Sequence, residues 1–147
     1  MILVSACLAG LPVRYNGKAR PNGKIMKMVA DGKALPVCPE QLGGLPIPRP
    51  PQEIRGGDGA AVLGRKAKVF NCNGENVTKQ FIKGANETLK MVQTLGVREV
   101  IFASWSPSCG CGKIYDGSFT GKLREGDGVT TALLKRNGIK VVTEEGL

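Results

Sequence analysis

Three short apolar runs, each leading into a cysteine, constrain the fold of this chain more than any other feature. The pairs are Met1–Val4 with Cys7, Ala34–Val37 with Cys38, and Val100–Ala103 with Cys109. Short apolar runs bounded by turn residues are typical of buried strands in a parallel sheet. Because the carboxyl ends of parallel strands meet at one crevice, the pattern predicts an α/β fold in which three thiols face a common crevice.

Helical patterns alternate with these runs. A short helix is expected over 24–31, a longer one over 79–95, and a third after Asp127, which is placed to cap it. Strands alternating with helices indicate a Rossmann-like domain, α/β in class, with a mainly parallel sheet of about four strands flanked by helices. We expect residues 1–147 to form this single domain.

Two small β-hairpins are expected as insertions. One is predicted over 60–78, where Asn73-Gly74 is a turn signal, and the other over 113–119. The segment Gly43–Pro51 is too rich in proline and glycine for a regular element, and we expect it to lie over a site.

The cysteine and histidine content narrows the chemistry. The chain has five cysteines and no histidine, so imidazole catalysis and imidazole metal ligands are excluded. An odd cysteine count without an export signal favours free thiols or a metal site over disulfides. No run is long enough to span a membrane, and a cytoplasmic protein is expected.

The net charge is strongly positive. Twenty-one basic and 12 acidic residues give +9, a balance that favours anionic partners such as nucleotides, RNA or acidic metabolites. The first thirty residues carry no acidic side chain but five cations: Arg14, Lys18, Arg20, Lys24 and Lys27. A solvated basic face is the alternative interpretation, because aromatic residues are not interleaved with these charges.

The cysteines do not follow a common metal-binding spacing. There is no C-x-x-C pair, and Cys109-Gly110-Cys111 is a weak signal by itself. Any one cysteine is readily explained as a buried structural thiol, but three at strand ends favour an iron–sulfur site. Cys72 lies in a polar turn and is expected to be incidental. For Cys111 a ligand, a spare thiol and a turn residue all remain open.

Several polar residues near the strand ends are candidate site residues. Glu40 follows the second strand-end cysteine and is a candidate general acid or base, with a solvent-facing role as the alternative. Ser104, Ser106 and Ser108 alternate after the third run and are placed either to bind a small polar ligand or to form a turn. Trp105 between them suits stacking on a planar base or packing.

Six segments together closely resemble the thiouracil desulfidase family, over essentially the whole chain. They are Val4–Gly10, Arg14–Gly17, Cys38–Arg49, Ser106–Gly110, Ile114–Gly117 and Gly126–Val129. The resemblance implies a [4Fe–4S] cluster held by Cys7, Cys38 and Cys109, with one iron not ligated by protein. It also implies a non-redox reaction that converts thiolated uracil compounds to the oxo form and releases hydrosulfide.

The resemblance gives the candidate residues their roles. Glu40 is expected to activate water or protonate the ring, and Ser104 to act with it as a catalytic residue. Ser106 and Ser108 are expected to bind the substrate. Arg14, and with it Arg49, is expected to attract a nucleotide phosphate. The substrates implied are 2-thiouracil, 4-thiouridine or its monophosphate, and the sequence does not choose among them.

The chain departs from the family pattern in one place. Ala103 and Trp105 stand where the family more often has lysine and arginine, which leaves the substrate preference open. Two alternatives also remain at this point. One is a basic RNA-binding module with a structural metal site, and the other is a thiol redox protein that uses Cys109 and Cys111.

Overall fold

The computed structural model describes residues 1–147. The elements are, in chain order, β1 Ile2–Ser5, α1 Gly23–Ala30, β2 Ala34–Val37, α2 Pro39–Leu42, β3 Gln52–Arg55, α3 Gly59–Leu63, β4 Lys68–Asn71, α4 Thr78–Leu95, β5 Glu99–Phe102, β6 Lys113–Tyr115, β7 Leu123–Glu125, α5 Val129–Arg136, β8 Lys140–Thr143 and a final 3₁₀ turn, Glu144–Gly146.

The central sheet has four strands in the order β2-β1-β5-β8. Every neighbouring pair is parallel, so the predicted α/β fold with a parallel sheet is confirmed. The chain passes from β1 to β2 on one side, and β5 lies on the other side of β1. The strand order therefore reverses between β1 and β5, which is the position where open α/β sheets bind ligands.

Both faces of the sheet are buried, and this explains why its strands are continuous apolar runs. Leu3 packs on one face with Val92 of α4 and Leu134 of α5. Val4, the next residue, packs on the opposite face with Ile25 of α1. Helices thus cover both faces, and only the strand ends are left to open onto a site.

The predicted hairpins are present, but their bounds were wrong. β4 pairs with β3, which lies N-terminal to the predicted segment, and α3 occupies the connection. The Asp58 carboxylate caps α3 by accepting from the Ala61 N–H group at 3.0 Å. Asn73-Gly74 lies in the turn that follows β4. The second hairpin pairs β6 with β7 and is longer than predicted.

The one-turn helix α2 rests directly on α4 through two glycines. A Cβ atom at Gly43 would collide with the carbonyl oxygen of Gln80, and one at Gly84 would collide with that of Pro39. This backbone contact fixes α2, and with it the segment that follows β2. None of the helices combines the length and the apolar character that crossing a bilayer requires.

Candidate metal centre and substrate cleft

A cleft of about 320 Å³ opens beyond the carboxyl ends of the sheet strands. Cys7 lies two residues after β1, Cys38 directly after β2, and Cys109 in the loop after β5. All three cysteines line this cleft. The structure therefore brings together the three residues that the sequence singled out as metal ligands.

The segment around Cys7 turns sharply and is held by the loop that follows it. Gly10 has a φ of +93°, a left-handed conformation that glycine adopts without a steric penalty. The Arg20 N–H group donates to the Cys7 carbonyl oxygen at 2.9 Å. This hydrogen bond brings Arg20 to the cleft.

The loop that carries Cys109 is anchored to the start of α5. The N–H groups of Val129 and Thr130 donate to the carbonyl oxygens of Pro107 and Ser108, at 2.7 and 3.0 Å. The first N–H groups of a helix have no hydrogen-bond acceptor within the helix, and here carbonyl oxygens of the cysteine loop accept from them. The cysteine loop thus packs against the N-terminus of α5. The residue that precedes this helix is Gly128, so the prediction that Asp127 caps it was wrong.

Burial raises the pKa of all three thiols, and the negative charge of Glu40 adds to the effect. The pKa of Cys7 and that of Cys38 rise from 9.0 to about 11. Burial likewise raises the pKa of Cys109 well above its ordinary value, although a hydrogen bond with the Ser5 side chain opposes the shift. Without a bound cation the three thiols are therefore neutral at physiological pH.

The donor set fits an iron–sulfur cluster. All cysteines are free, and no group of His, Cys, Asp or Glu side chains is arranged to hold a single metal ion. Three thiols spread around one cleft suit a larger, thiol-ligated centre, which is the chemistry of iron–sulfur clusters. Cys72 is exposed, and the Cys111 Sγ atom lies 3.5 Å from the Val141 carbonyl oxygen on β8. Neither lines the cleft.

Glu40 lies in the cleft beside the cysteines and is paired with a buried arginine. Its Oε2 atom is 3.0 Å from Nη2 of Arg49, whose side chain is 2% exposed. The Nη1 atom of Arg49 donates to the carbonyl oxygens of Val13 and Pro46, both at 3.3 Å. The solvent-facing interpretation of Glu40 is therefore wrong. Arg49 was expected to attract a phosphate, but its guanidinium is buried against Glu40.

The three predicted serines have different surroundings. Ser104 lines the cleft. Ser106 also lines it, but its Oγ atom accepts from the N–H groups of Ser108 and Cys109 at 3.1 and 2.7 Å. Ser108 is buried outside the cleft lining, with its Oγ atom 2.9 Å from that of Thr130. Ser106 and Ser108 thus shape the cysteine loop, and of the three only Ser104 has its hydroxyl free of this loop.

Three arginines contribute positive charge to the cleft. Arg20 is paired with Glu144 at 3.4 Å, and Arg49 is paired with Glu40. Arg14 has no carboxylate partner, and its guanidinium carbon lies 5.9 Å from the ring centroid of Tyr15. Arg14 is therefore the cleft cation that is available to an anionic ligand.

Comparison with known proteins shows the family of this chain. The 2-thiouracil desulfurase family matches residues 2–146. The chain belongs to this family. It is 48% identical to the uncharacterized protein YbbK of Bacillus subtilis (strain 168) over 147 residues, which are 100% of this chain and 97% of YbbK. Among solved structures it resembles the [4Fe-4S]-dependent thiouracil desulfidase TudS, with a TM-score of 0.87 and 43% identity over 99% of this chain and 91% of the other.

Membership of the 2-thiouracil desulfurase family confirms the resemblance found in the sequence and shows that the chain is an enzyme. The structure also places a cation beside Trp105, the residue expected from the sequence to stand where the family more often has arginine. The guanidinium carbon of Arg20 lies 5.6 Å from the Trp105 ring centroid. A cation from another loop is therefore present at the position where the sequence suggested that one was lost.

Two carboxylates at the site of this desulfurase-family chain were missed in the sequence. Glu53 on β3 lines the cleft, and its Oε1 atom accepts from the N–H groups of Gly117 and Phe119 at 2.9 and 3.2 Å. Glu144 bonds to Ser104. Both partners lie far away in sequence, so no local pattern marks these residues. β3 reads Gln-Glu-Ile-Arg with only its two middle residues buried, so the burial of Glu53 has no signal in the local sequence.

Proposed function

We propose that this chain is a [4Fe–4S]-dependent thiouracil desulfidase that removes sulfur from thiolated uracil compounds without net redox change. The observation that carries the proposal is the convergence of Cys7, Cys38 and Cys109 on one cleft with Glu40 beside them. The name of the similar solved structure and the family of this chain support it.

The three cysteines would hold the cluster, and the cleft offers no fourth thiol. One iron would therefore be free of protein ligands, which is the general logic of an open catalytic metal site. When bound, the cluster supplies a Lewis-acidic iron with affinity for the sulfur of the substrate. The raised pKa values of Cys7 and Cys38 mean that loading releases protons from these thiols.

Glu40 is placed to handle the proton of the attacking water. In the overall reaction water adds to the ring carbon, a carbon–oxygen bond forms, the carbon–sulfur bond breaks, and sulfur leaves as hydrosulfide. One carboxylate oxygen of Glu40 is held by Arg49, which fixes the orientation of the group towards the cleft. Water gives up both of its protons: the Glu40 carboxylate takes up one, as a general base does, and the other leaves on the sulfur as hydrosulfide.

Ser104 and Arg14 are the substrate contacts in this proposal. Ser104 lines the cleft, and in this proposal its hydroxyl orients the pyrimidine, whereas Arg14 binds a phosphate when the substrate is a nucleotide. The substrate set is 2-thiouracil, 4-thiouridine and 4-thiouridine monophosphate. Because Arg14 lacks an ion-pair partner within the protein, we favour the monophosphate.

Anaerobic reconstitution tests the proposal. The purified chain is loaded with iron and sulfide, the iron content is measured, and sulfide release is assayed with 2-thiouracil and 4-thiouridine monophosphate. We expect about four irons per chain and release of one hydrosulfide for each oxo product. A loaded protein that releases no sulfide from either compound would overturn the activity. Failure to take up iron would overturn the cluster and favour the RNA-binding module.

A further inference from the structure

We propose that Glu144, in the final 3₁₀ turn, is a positioning residue that fixes the hydrogen-bond polarity of Ser104 and holds Arg20 beside it. The proposal rests on the proposed function, because it concerns how Ser104 meets the substrate in the cleft. It adds a residue that does not itself line the cleft.

Two groups of one residue converge on the Glu144 carboxylate. The Ser104 hydroxyl donates to Oε1 at 2.7 Å, and the Ser104 N–H group donates to Oε2 at 3.0 Å. The Glu144 side chain is only 15% exposed, so solvent competes weakly for these hydrogen bonds. Both the backbone and the side chain of Ser104 are therefore fixed by one carboxylate.

This arrangement decides what Ser104 offers to a ligand. An ionised carboxylate only accepts hydrogen bonds, so the single hydroxyl hydrogen of Ser104 is committed to Glu144. The Arg20 guanidinium donates from Nη1 to the Ser104 Oγ atom at 3.4 Å, and because a hydroxyl oxygen has two lone pairs, one of them stays free. Ser104 therefore acts as an acceptor towards the cleft. Thiolated uracils carry a ring N–H group beside the thiocarbonyl carbon, and this is the donor that Ser104 recognises.

The same carboxylate also holds a cation over a strained residue. The Glu144 Oε1 atom is 3.4 Å from Nη1 of Arg20, whose guanidinium covers the ring of Trp105. Trp105 directly follows Ser104 and has a φ of +75°, a conformation that bulky residues rarely adopt. Such strain persists only where the surroundings enforce it. The backbone of Trp105 is held by Tyr115, whose N–H group donates to the Trp105 carbonyl oxygen at 3.3 Å, and its ring is held by the Arg20–Glu144 pair.

Two measurements test the role of Glu144, the first with Glu145→Gln as the matched control because Glu145 is exposed and makes no hydrogen bond. In the loaded enzyme we expect Glu144→Gln to lower kcat/KM by about tenfold to a hundredfold, because a glutamine amide also donates and can reverse the polarity of Ser104. In the Ser104→Ala background the same substitution is expected to have little further effect. Glu144→Asp, which remains an acceptor only, is expected to retain more activity than Glu144→Gln.

The second measurement needs no cluster. Trp105 is the only tryptophan, so the fluorescence of the protein reports how far the Arg20 guanidinium shields the Trp105 ring from a quencher in solution. In cluster-free protein we expect quenching by acrylamide to increase in Glu144→Gln and to stay unchanged in Glu87→Gln, a carboxylate variant on α4. Glu145→Gln is not used as the control here, because Glu145 lines a surface pocket together with Trp105. The quenching measurement uses cluster-free protein, so it still tests whether Glu144 positions Arg20 if Glu144→Gln does not load iron.

Three results would overturn the proposal. They are wild-type kcat/KM in Glu144→Gln, an equal loss with and without Ser104, and unchanged Trp105 quenching. An inactive, fully loaded wild-type enzyme would instead overturn the proposed function. The two failures are therefore distinguishable.

Discussion

Glu40 and Arg49 form an ion pair of 3.0 Å at the edge of the cysteine cleft, with the Arg49 side chain almost fully buried. Burying two charges costs solvation free energy, and the Arg49 Nε atom is left without any hydrogen-bond partner. Such a pair is a poor source of stability but a good way to fix one carboxylate. It holds Glu40 towards the cleft without using a solvent-exposed cation.

Removing the cation of this pair should destabilise the fold. Arg49→Met leaves the Glu40 charge in a largely buried place, and we expect a loss of about 3 kcal/mol in the free energy of unfolding. Urea denaturation of the cluster-free protein measures it. The control is Lys27→Met, which breaks the exposed pair with Asp31 and should change the value by less than about 0.5 kcal/mol. An equal loss of unfolding free energy in Arg49→Met and Lys27→Met would contradict the conclusion that burial makes the Glu40–Arg49 pair costly to break.

The carboxylate itself is expected to matter for turnover and not for cluster loading. Glu40→Gln keeps the size of the side chain but removes the base, so we expect unchanged iron content and a loss of most activity, about a hundredfold or more. Iron content and sulfide release measure the two effects. Glu87→Gln on the exposed face of α4 is the control. Unchanged turnover in Glu40→Gln would remove Glu40 from the mechanism.

Each strand-end cysteine is expected to be required for the cluster. Serine at position 7, 38 or 109 replaces a thiolate ligand with a poor one, so iron loading should be abolished in each single variant. Cys72→Ser and Cys111→Ser are the matched controls, because neither side chain lines the cleft. Iron and sulfide content after reconstitution is the measurement. A fully loaded variant at any of the three positions would refute the three-ligand assignment.

Arg14 is expected to separate nucleotides from free bases. Arg14→Gln removes a charge-assisted contact with phosphate, and we expect KM for 4-thiouridine monophosphate to rise by about tenfold. KM for 2-thiouracil, which has no phosphate, should not change. Lys18→Gln, in the same exposed loop, is the control. An equal rise in KM for both substrates would mean that Arg14 shapes the cleft and does not bind the phosphate.

The thiols of the cluster-free protein should respond to alkaline pH. Since the pKa of Cys7 and that of Cys38 rise from 9.0 to about 11 on folding, the native state binds their protons more tightly than the unfolded state. The resulting stabilisation is complete below pH 9.0 and is lost as the pH rises through about 11. Alkylation rates, followed by mass spectrometry from pH 8 upwards, should increase by about tenfold per pH unit. Exposed Cys72 serves as the internal reference for access of the reagent.

The sequence was most informative about features that depend on local residue patterns, such as the buried strands and the cysteines that follow them. Apolar runs predict buried parallel strands, and the convergence of strand ends then brings Cys7, Cys38 and Cys109 together without any knowledge of the packing. Helix α3 was missed because it has five residues and only the Asp58 cap to signal it.

Contacts between residues that are far apart in the chain could not be predicted from local residue patterns. Glu144 lies 40 residues from Ser104, the residue it bonds, and Glu53 lies 64 residues from Gly117. Each is an ordinary acidic residue in its local sequence. Ser108, predicted to bind the substrate, instead meets Thr130 of α5 through its hydroxyl at 2.9 Å, a contact across 22 residues. The same prediction for Ser106, which lines the cleft, stays a prediction.

The separation of the three cysteines along the chain has a consequence for biogenesis. Their thiols meet only after β1, β2 and β5 have found their places in a parallel sheet, and such non-local pairing is slow to form. An unfolded or nascent chain therefore offers isolated thiols and no receptor for a cluster. With these three thiols as the proposed ligands, formation of the sheet and loading of the cluster are coupled, and delivery of iron and sulfide requires a chain whose strands have paired.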